Sequence, residues 1–242
     1  MRLGRIGVIV AVAGAMLAPA ASAGSRLDYW MEFTSHDPGH STGLDVRFLY
    51  KHPDDPRAKP IPVRQEQVTF PAGTRFDFAV VPPCRATDAE FQAEGSSACP
   101  ESWVMSGHGD TVMSGFPGQG EMPLTVDGYL NTPNEMKAVS QAEGFPLRFV
   151  GHAFTRGRVT TVDIPRAPGG PPDGESALRR VHNVFPARSR NGHVYMRTPP
   201  TCPRSRVWTF TGRFTFADGF VARTTHRMRC RRGGAGARLG SR

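Results

Sequence analysis

Apolar and polar residues alternate along much of this chain, which is the pattern of β-strands that bury one face. The segment LDVRFLY, residues 44–50, is the most regular example, because apolar residues occupy every second position and Asp45 and Arg47 stand between them. Less regular segments of the same kind are LDYWMEF (27–33), residues 63–70, MPLTVDGYL (122–130), PLRFVGHAF (146–154) and GRVTTVDI (157–164). Turn-forming residues are frequent, with 22 prolines and 27 glycines, and no long segment has a helical period. The sequence therefore predicts an all-β fold, mainly an antiparallel β-sandwich.

One short helix is predicted between Cys84 and Cys99. Thr87 and Glu90 have the spacing of a capping box, in which the threonine hydroxyl accepts the Glu90 N–H and the carboxylate bonds back to the cap. Gly95 then suits the position that ends a helix. About two turns fit between these signals, and so short a helix is marginal without tertiary support. We expect a disulfide between the two cysteines to bracket it.

The last clear secondary structure is a hairpin over residues 206–230, and its register depends on the loop. A two-residue loop pairs Phe216 with Val221 and turns three arginines toward the aromatic face of the hairpin. A three-residue loop that ends at Gly219 pairs Phe216 with Phe220 and leaves those arginines in solvent. The arginines concerned are Arg223, Arg227 and Arg229. Burying three unpaired charges costs far more than one bulged residue, so the second register is predicted.

The N-terminus predicts export. Residues 1–23 carry Arg2 and Arg5, then the apolar run 6–17, and end in the small residues of a cleavage site. The apolar run is shorter than the roughly 20 residues that a membrane span needs, so a cleaved signal peptide is favoured over an uncleaved anchor. The domains predicted are this signal peptide, a single β-rich domain over 24–230 and a disordered basic tail over 231–242.

Within the predicted β-rich domain, the Pro/Gly-rich segment 166–175 reads as a surface loop or linker. This leaves open whether the domain is one large β unit or two smaller ones. No segment after the signal peptide is apolar enough to cross a bilayer, so we expect no transmembrane helix in the exported chain. The predicted location is secreted, either extracellular or associated with the cell envelope.

Four cysteines in an exported chain are most simply two disulfides. Three pairings exist on paper, and we predict Cys84–Cys99 and Cys202–Cys230 because each closes a compact local unit. The hairpin register supports the second pair, since it places Cys230 opposite Arg206, four residues from Cys202. A zinc site is disfavoured because the chain has no C-x-x-C motif and its spacings match no zinc module.

The frame Cys-Pro-x-Ser-x-Val occurs twice, at residues 99–104 and 202–207. A repeated structural device explains this better than a repeated active site. In each copy the cysteine forms a disulfide, the proline takes the chain out of helical geometry, and the following residues continue as a strand.

The formal charge of +9 becomes +7 once Arg2 and Arg5 leave with the signal peptide. Only Lys51, Lys59 and Lys137 are lysines among the 30 basic residues. This preference for arginine can reflect genomic composition as much as function, so charge alone is a weak argument for nucleic-acid binding. The chain also carries no recognition helix or aromatic-basic motif of a known reader, and no nucleic-acid partner is expected.

Two blocks of sequence resemble a family of uncharacterised bacterial secreted proteins that have a signal peptide and paired cysteines. The blocks are residues 70–104 and 198–219, followed by Cys230, and together they cover less than a third of the predicted exported chain. The resemblance implies export, two disulfides and a β-rich fold. It implies no catalytic or binding residues, because the family has no established activity. A glycine commonly follows the valine equivalent to Val104, whereas Met105 stands here.

Two groups of residues have the composition of a reactive site. Ser106, His108 and Asp110 are the residue types of a nucleophilic triad. In an extended segment they would share a face but repeat about every 6.6–7 Å, too far apart for a nucleophile and its base. Because no G-x-S-x-G elbow exposes the serine, a polar loop is the preferred interpretation.

The second group is His36, Asp37 and His40, whose side chains are of the kinds that bind divalent metals. Histidines four apart share a face only on a helix, and the Pro-Gly pair between them excludes a helix. Solvated loop residues are therefore favoured over a metal site, and no cofactor is expected.

The sequence thus predicts an exported, non-catalytic protein that serves as a binding or structural module at or outside the cell envelope. One alternative is an extracellular hydrolase that uses Ser106, His108 and Asp110, or a metal held by His36, Asp37 and His40. Another is a weak binder of an anionic envelope polymer through the arginines of the tail, residues 231–242, by salt-sensitive attraction.

Overall fold

The computed structural model of the chain describes residues 25–113, 120–170 and 173–231. The predicted signal peptide, residues 1–23, lies outside this description, as does the predicted basic tail apart from Arg231. In the described part, strands dominate and the all-β prediction is confirmed. They are β1 (Leu27–Phe33), β2 (Leu44–Tyr50), β3 (Val63–Thr69), β4 (Arg75–Phe76), β5 (Trp103–Val112), β6 (Glu121–Thr132), β7 (Glu135–Ala142), β8 (Arg148–Arg156), β9 (Val159–Asp163), β10 (Ala177–Phe185), β11 (Ser189–Arg190), β12 (His193–Val194), β13 (Met196–Arg197), β14 (Val207–Phe216) and β15 (Val221–Arg229).

Eleven of these strands form one antiparallel sheet in the order β1-β2-β10-β5-β6-β7-β8-β9-β3-β14-β15. The sheet curls until its two edge strands come together. The Phe33 N–H donates to Met228 Sδ at 3.3 Å, and the rings of Trp30 and His226 lie 5.6 Å apart. His226 Nε2 also lies 3.2 Å from Glu32 Oε1. The two layers expected of a sandwich are therefore opposite walls of one continuous sheet, and its edges protect each other from pairing with another chain.

One part of the interior is filled by aromatic rings, and we call it the aromatic side. It is enclosed by β1, β2, β3, β14 and β15. Phe33 and Phe210 have ring centroids 4.9 Å apart, and those of Phe48 and Phe214 are 5.4 Å apart. Such edge-to-face pairs contribute about 0.5–1.5 kcal/mol each beyond the burial of their area. Other buried aromatic residues here are Tyr29, Tyr50, Phe70, Trp208 and Phe216.

The one α-helix in the described residues, α1 (Asp88–Glu94), covers the outer face of β6, β7 and β8. Its predicted capping box is present, since the Glu90 N–H donates to Thr87 Oγ1 at 3.2 Å and the Thr87 N–H donates to Glu90 Oε2 at 2.7 Å. Gly95 ends the helix at a φ of +62°. Phe91 is fully buried against Tyr129, with ring centroids 5.1 Å apart. The Cys84–Cys99 disulfide brackets the helix, as predicted.

The second disulfide joins Cys202 and Cys230 at the base of the β14–β15 hairpin, also as predicted. The three-residue register is the one observed, because the Phe216 N–H donates to the Phe220 carbonyl at 3.0 Å and Gly219 has a φ of +82°. The arginines of β15 are exposed. Two disulfides indicate that the protein folds in an oxidising environment.

Both Cys-Pro copies precede a strand, but a tight turn comes first. The Ser102 N–H donates to the Cys99 carbonyl at 3.1 Å, within a 3-10 turn over Pro100–Ser102. In the second copy the Arg206 N–H donates to the Pro203 carbonyl at 2.9 Å. The expectation that the chain leaves helical geometry at the proline was therefore wrong, because one tight turn follows the proline before the strand begins. A proline tolerates the first position of such a turn because its missing N–H would have no partner there.

The segment SGHGD, expected to be a polar loop, instead lies within β5, between β10 and β6. Its glycines permit close contact with β10. A Cβ at Gly107 would lie 2.0 Å from Asn183 Oδ1, and one at Gly109 would lie 2.4 Å from the Arg180 carbonyl oxygen. These glycines therefore belong to a strand because a neighbouring strand leaves no room for a side chain.

The predicted loop 166–175 connects β9 to β10, and its residues 171 and 172 lie outside the description. The Gly169 N–H donates to the Gly174 carbonyl at 2.8 Å. Asp173 and Glu175 form ion pairs with Lys59 and Arg64 respectively. In the part of the chain that the structure describes, no helix has the length and apolar character needed to cross a membrane.

Candidate functional site

A cavity of about 210 Å³ lies inside the sheet, between the aromatic side and the wall formed by β5 to β10. We call this wall the aliphatic side. The space exists because the inward positions of β7 and β8 carry small residues where the aromatic side carries rings. These small residues are Ala138, Ser140, Ala142, Gly151 and Ala153. Side-chain size at the inward positions decides which side is filled.

Methionines are prominent in the cavity wall. Five of the nine methionines in the chain line it: Met31, Met105, Met113, Met122 and Met136. Methionine has three rotatable bonds and a polarisable sulfur, so it adapts its shape to a bound apolar molecule. One of these methionines is Met105, which points into the cavity and is 1% exposed.

The cavity reaches the surface at the ends of strands β5 to β8. Phe145 and Leu147, between β7 and β8, both line the cavity and are 43% and 48% exposed. Large apolar side chains that are exposed beside an apolar cavity give a small apolar molecule a favourable path from water to the interior. This end of the aliphatic side is therefore the candidate entrance.

One acidic residue lies in the cavity wall that the described residues form. Glu66 on β3 is paired across the sheet with Val162 of β9 on one side and Phe214 of β14 on the other. It therefore lies where the cavity meets the aromatic side. The Tyr50 hydroxyl donates to Glu66 Oε1 at 2.5 Å. Glu66 is 6% exposed and Tyr50 is completely buried.

Burial controls the ionisation of this pair. Burial raises the pKa of Glu66 to about 7, and the hydrogen bond from Tyr50 opposes that rise only in part. Burial, together with the nearby carboxylate, raises the pKa of the Tyr50 phenol well above its ordinary value. The phenol thus keeps its proton and serves as a hydrogen-bond donor to the carboxylate.

A second polar group in the wall is Asn183 of β10. Among the described residues, its Oδ1 is buried without a hydrogen-bond partner. Buried polar atoms usually have a partner, since leaving one unpaired costs about 1–3 kcal/mol. Asn183 lines the cavity, but its Oδ1 packs against Gly107 and is closed off, so Glu66 is the acceptor that the cavity offers.

Ser106, His108 and Asp110 lie on the outer face of β5 and do not come together as a triad. Asp110 accepts from Arg180 Nε at 2.6 Å instead of contacting the histidine. The His108 ring packs against His182, with centroids 5.1 Å apart, and Ser106 is exposed. The extended backbone turns all three side chains to solvent in a row along the strand.

His36, Asp37 and His40 lie in the loop between β1 and β2. His36 Nδ1 is 2.8 Å from the Arg229 carbonyl oxygen, and the His40 N–H donates to Thr198 Oγ1. The first contact fixes the loop to the base of the last hairpin, and the second fixes it to the residue that follows β13. Among residues 25–113, 120–170 and 173–231, no three histidine, cysteine, aspartate or glutamate side chains are placed to hold a metal ion.

Sequence reasoning missed the cavity and Glu66. The available signal was a carboxylate at the same parity as Val68 and Phe70, on the inward face of β3. It also missed β7 and β10, which contribute much of the cavity wall. Comparison of the chain with protein-family models, curated proteins and solved structures finds no match.

Proposed function

We propose that this protein is an exported, non-catalytic binding module that holds a small apolar molecule inside its sheet, at or outside the cell envelope. The cavity is the observation that carries the proposal. Protein interiors are normally close-packed, and unfilled volume costs about 24 cal/mol per Å³. A cavity of about 210 Å³ thus represents several kcal/mol of lost packing. A purely structural module gains nothing from such a loss, whereas a binding protein regains it when a ligand fills the space.

The chemistry of the wall favours binding over catalysis. The described residues that line the cavity include no histidine, cysteine or lysine. Glu66 is the one described lining residue that could act as a base, and its side-chain hydrogen bond is to Tyr50, not to a serine, threonine or cysteine that it could activate. On the other face of the sheet, away from the cavity, the side chains of Ser106, His108 and Asp110 point to solvent.

Export is supported by residues 1–23, by the two disulfides and by the resemblance to bacterial secreted proteins. Mass mapping of the non-reduced protein from the exported fraction tests it. We expect an N-terminus at Gly24 and two disulfide-linked peptides, Cys84–Cys99 and Cys202–Cys230. A chain that keeps residues 1–23, or that stays in the cytosol, contradicts the proposal of export.

Ligand binding is tested with N-phenyl-1-naphthylamine, an apolar dye whose fluorescence rises in an apolar site. We expect saturable binding to the exported protein. The double variant Ala138→Leu, Ser140→Leu adds two branched side chains to the cavity and should weaken dye binding at least 10-fold. The control Thr125→Leu makes a similar change at an exposed position on the outer face of β6 and should leave binding within twofold.

Equal weakening by the cavity variant and by Thr125→Leu, or no saturable binding at all, contradicts the proposed function. Thermal unfolding of each variant verifies that it is folded. Because the added leucines fill existing space, we expect the cavity variant to unfold at or above the temperature of the parent protein.

A further inference from the structure

Glu66 places a carboxyl group at one point of an otherwise uncharged cavity wall. Of the described residues that line the cavity, it is the only one with an ionisable side chain. No arginine, lysine or histidine of the described wall faces it. A cation that reaches this carboxylate must therefore come from a molecule inside the cavity.

The hydrogen-bonding capacity of Glu66 is only partly used. An ionised carboxylate has two oxygens with about four acceptor sites. Within the described chain, its one hydrogen bond to a side chain comes from the Tyr50 hydroxyl, on Oε1. An ionised carboxylate in an apolar site is costly unless it is paired with a cation and hydrogen-bonded. The ionised Glu66 carboxylate therefore lacks a cationic partner, and its unused acceptor sites can bind a positively charged hydrogen-bond donor.

We propose that the ligand class of this cavity is an aliphatic amine, whose chain packs against the methionines and small residues and whose ammonium group binds Glu66. This inference rests on the proposed function, since it names the class of molecule that the same cavity takes. A carboxylate-headed molecule is disfavoured, because its charge would repel Glu66 in a site of low dielectric.

The cavity volume sets the ligand size. A cavity of about 150 Å³ holds benzene, so a cavity of about 210 Å³ suits a molecule of roughly ten non-hydrogen atoms. An eight-carbon chain with one head group has this size. Octylamine, 1-octanol and octanoate all have eight carbons, and their head groups are positively charged, uncharged and negatively charged respectively.

The test is displacement of N-phenyl-1-naphthylamine by these three compounds from the exported protein at pH 8. At this pH both Glu66 and the amine are charged, since the amine titrates near 10.4 like a lysine. Hydrogen bonds to charged groups are the stronger ones, and we expect octylamine to bind roughly 10- to 100-fold more tightly than 1-octanol. Octanoate should bind most weakly.

The variant Glu66→Gln preserves the shape of the side chain and removes its charge. We expect it to lose the preference for octylamine, with 1-octanol binding changed by less than threefold. Glu101→Gln, at an exposed position outside the cavity, is the matched control and should keep the preference. Tyr50→Phe should also keep it, because the carboxylate remains.

Two results overturn the inference. One is that the exported parent protein binds octylamine and 1-octanol with equal affinity, a result that is obtained without any variant. The other is equal loss of both ligands in Glu66→Gln, which indicates a structural role for the carboxylate. In either case saturable dye binding still supports a cavity for apolar molecules. If neither the dye nor any octyl compound binds, the proposed function fails as well.

Discussion

The aromatic side and the aliphatic side of this sheet differ in how their interiors are filled. On the aromatic side, rings from β1, β2 and β14, together with Phe70 just after β3, contact each other in several edge-to-face pairs. On the aliphatic side, β7 and β8 turn alanine, serine and glycine inward, and a cavity lies beside them. One sheet therefore combines a packed scaffold with a less filled wall, as the proposed binding function requires.

The aliphatic side makes additional packing contacts on its outer face. Helix α1 lies there, with Phe91 buried against Tyr129 and both ends held by the Cys84–Cys99 disulfide. Lys137 extends from β7 to the helix, where its Nζ lies 2.8 Å from Asp88 Oδ1. The aromatic side has no α-helix on its outer face among the described residues. The difference indicates that α1 stabilises the wall that has the cavity behind it.

The largest effect should come from truncating a side chain on the aromatic side. Phe210 is completely buried and contacts Phe33 and Phe70, so Phe210→Ala should lower the free energy of unfolding by about 3–5 kcal/mol. Met136→Ala, beside the cavity, should cost about 2 kcal/mol, because part of its surface already lacks close neighbours. Urea denaturation of both variants measures the difference. Equal costs would show that the two sides are packed alike.

The second prediction concerns Glu66, at the border between the two sides. Its pKa is about 7 in the folded protein, above the ordinary glutamate value, so the folded state binds the proton more tightly than the unfolded chain. Stability is then fully present below about pH 4.5 and is lost as the pH rises to about 7, by up to about 3 kcal/mol. Urea denaturation between pH 4 and 8 should show this loss in the parent protein and not in Glu66→Gln. An identical pH profile in the two proteins contradicts the prediction.

The smallest effect should come from His152 on β8, beneath α1. Burial lowers the pKa of His152, but hydrogen bonds with Glu135 and Asp88 outweigh this and hold the pKa above its ordinary value. Lys137 is the other charged group that contacts Asp88. The stability from His152 is therefore complete below about pH 6.5 and is lost as the pH rises through its folded pKa.

His152→Gln should lower the free energy of unfolding by less than about 1 kcal/mol at pH 5.5, because the pair is partly exposed, and by less at pH 8. His193→Gln is a useful control, since His193 pairs with Asp77 in a more exposed position away from the helix. Thermal unfolding at both pH values checks this. A larger effect at pH 8 than at pH 5.5 would contradict the assigned sign.

Local signals predicted local structure well. The alternation in 44–50 gave β2 with the same bounds, and the Thr87–Glu90 box began α1. The hairpin register followed from the cost of burying arginine. Each of these arguments needs only residues that are close in sequence and the rule that charge avoids an apolar interior.

The candidate site was harder to predict because it depends on contacts that are distant in sequence. The strand β10 inserts between β2 and β5, and β3 inserts between β9 and β14. These insertions explain why Gly107 sits in a strand and why Glu66 faces a cavity. Neither position carries a local signal for its partners.

By itself the sequence determined the strand-rich class, the capped helix, both disulfides and the final register, since these depend on periodicity, caps, turns and charge within short segments. The tertiary structure alone decided that the sheet closes on itself and that a cavity remains beside the small residues of β7 and β8. The physical reason is that an interior is filled or left open by the sum of side-chain volumes from opposite walls. That sum is defined only once the order of the strands brings those walls together.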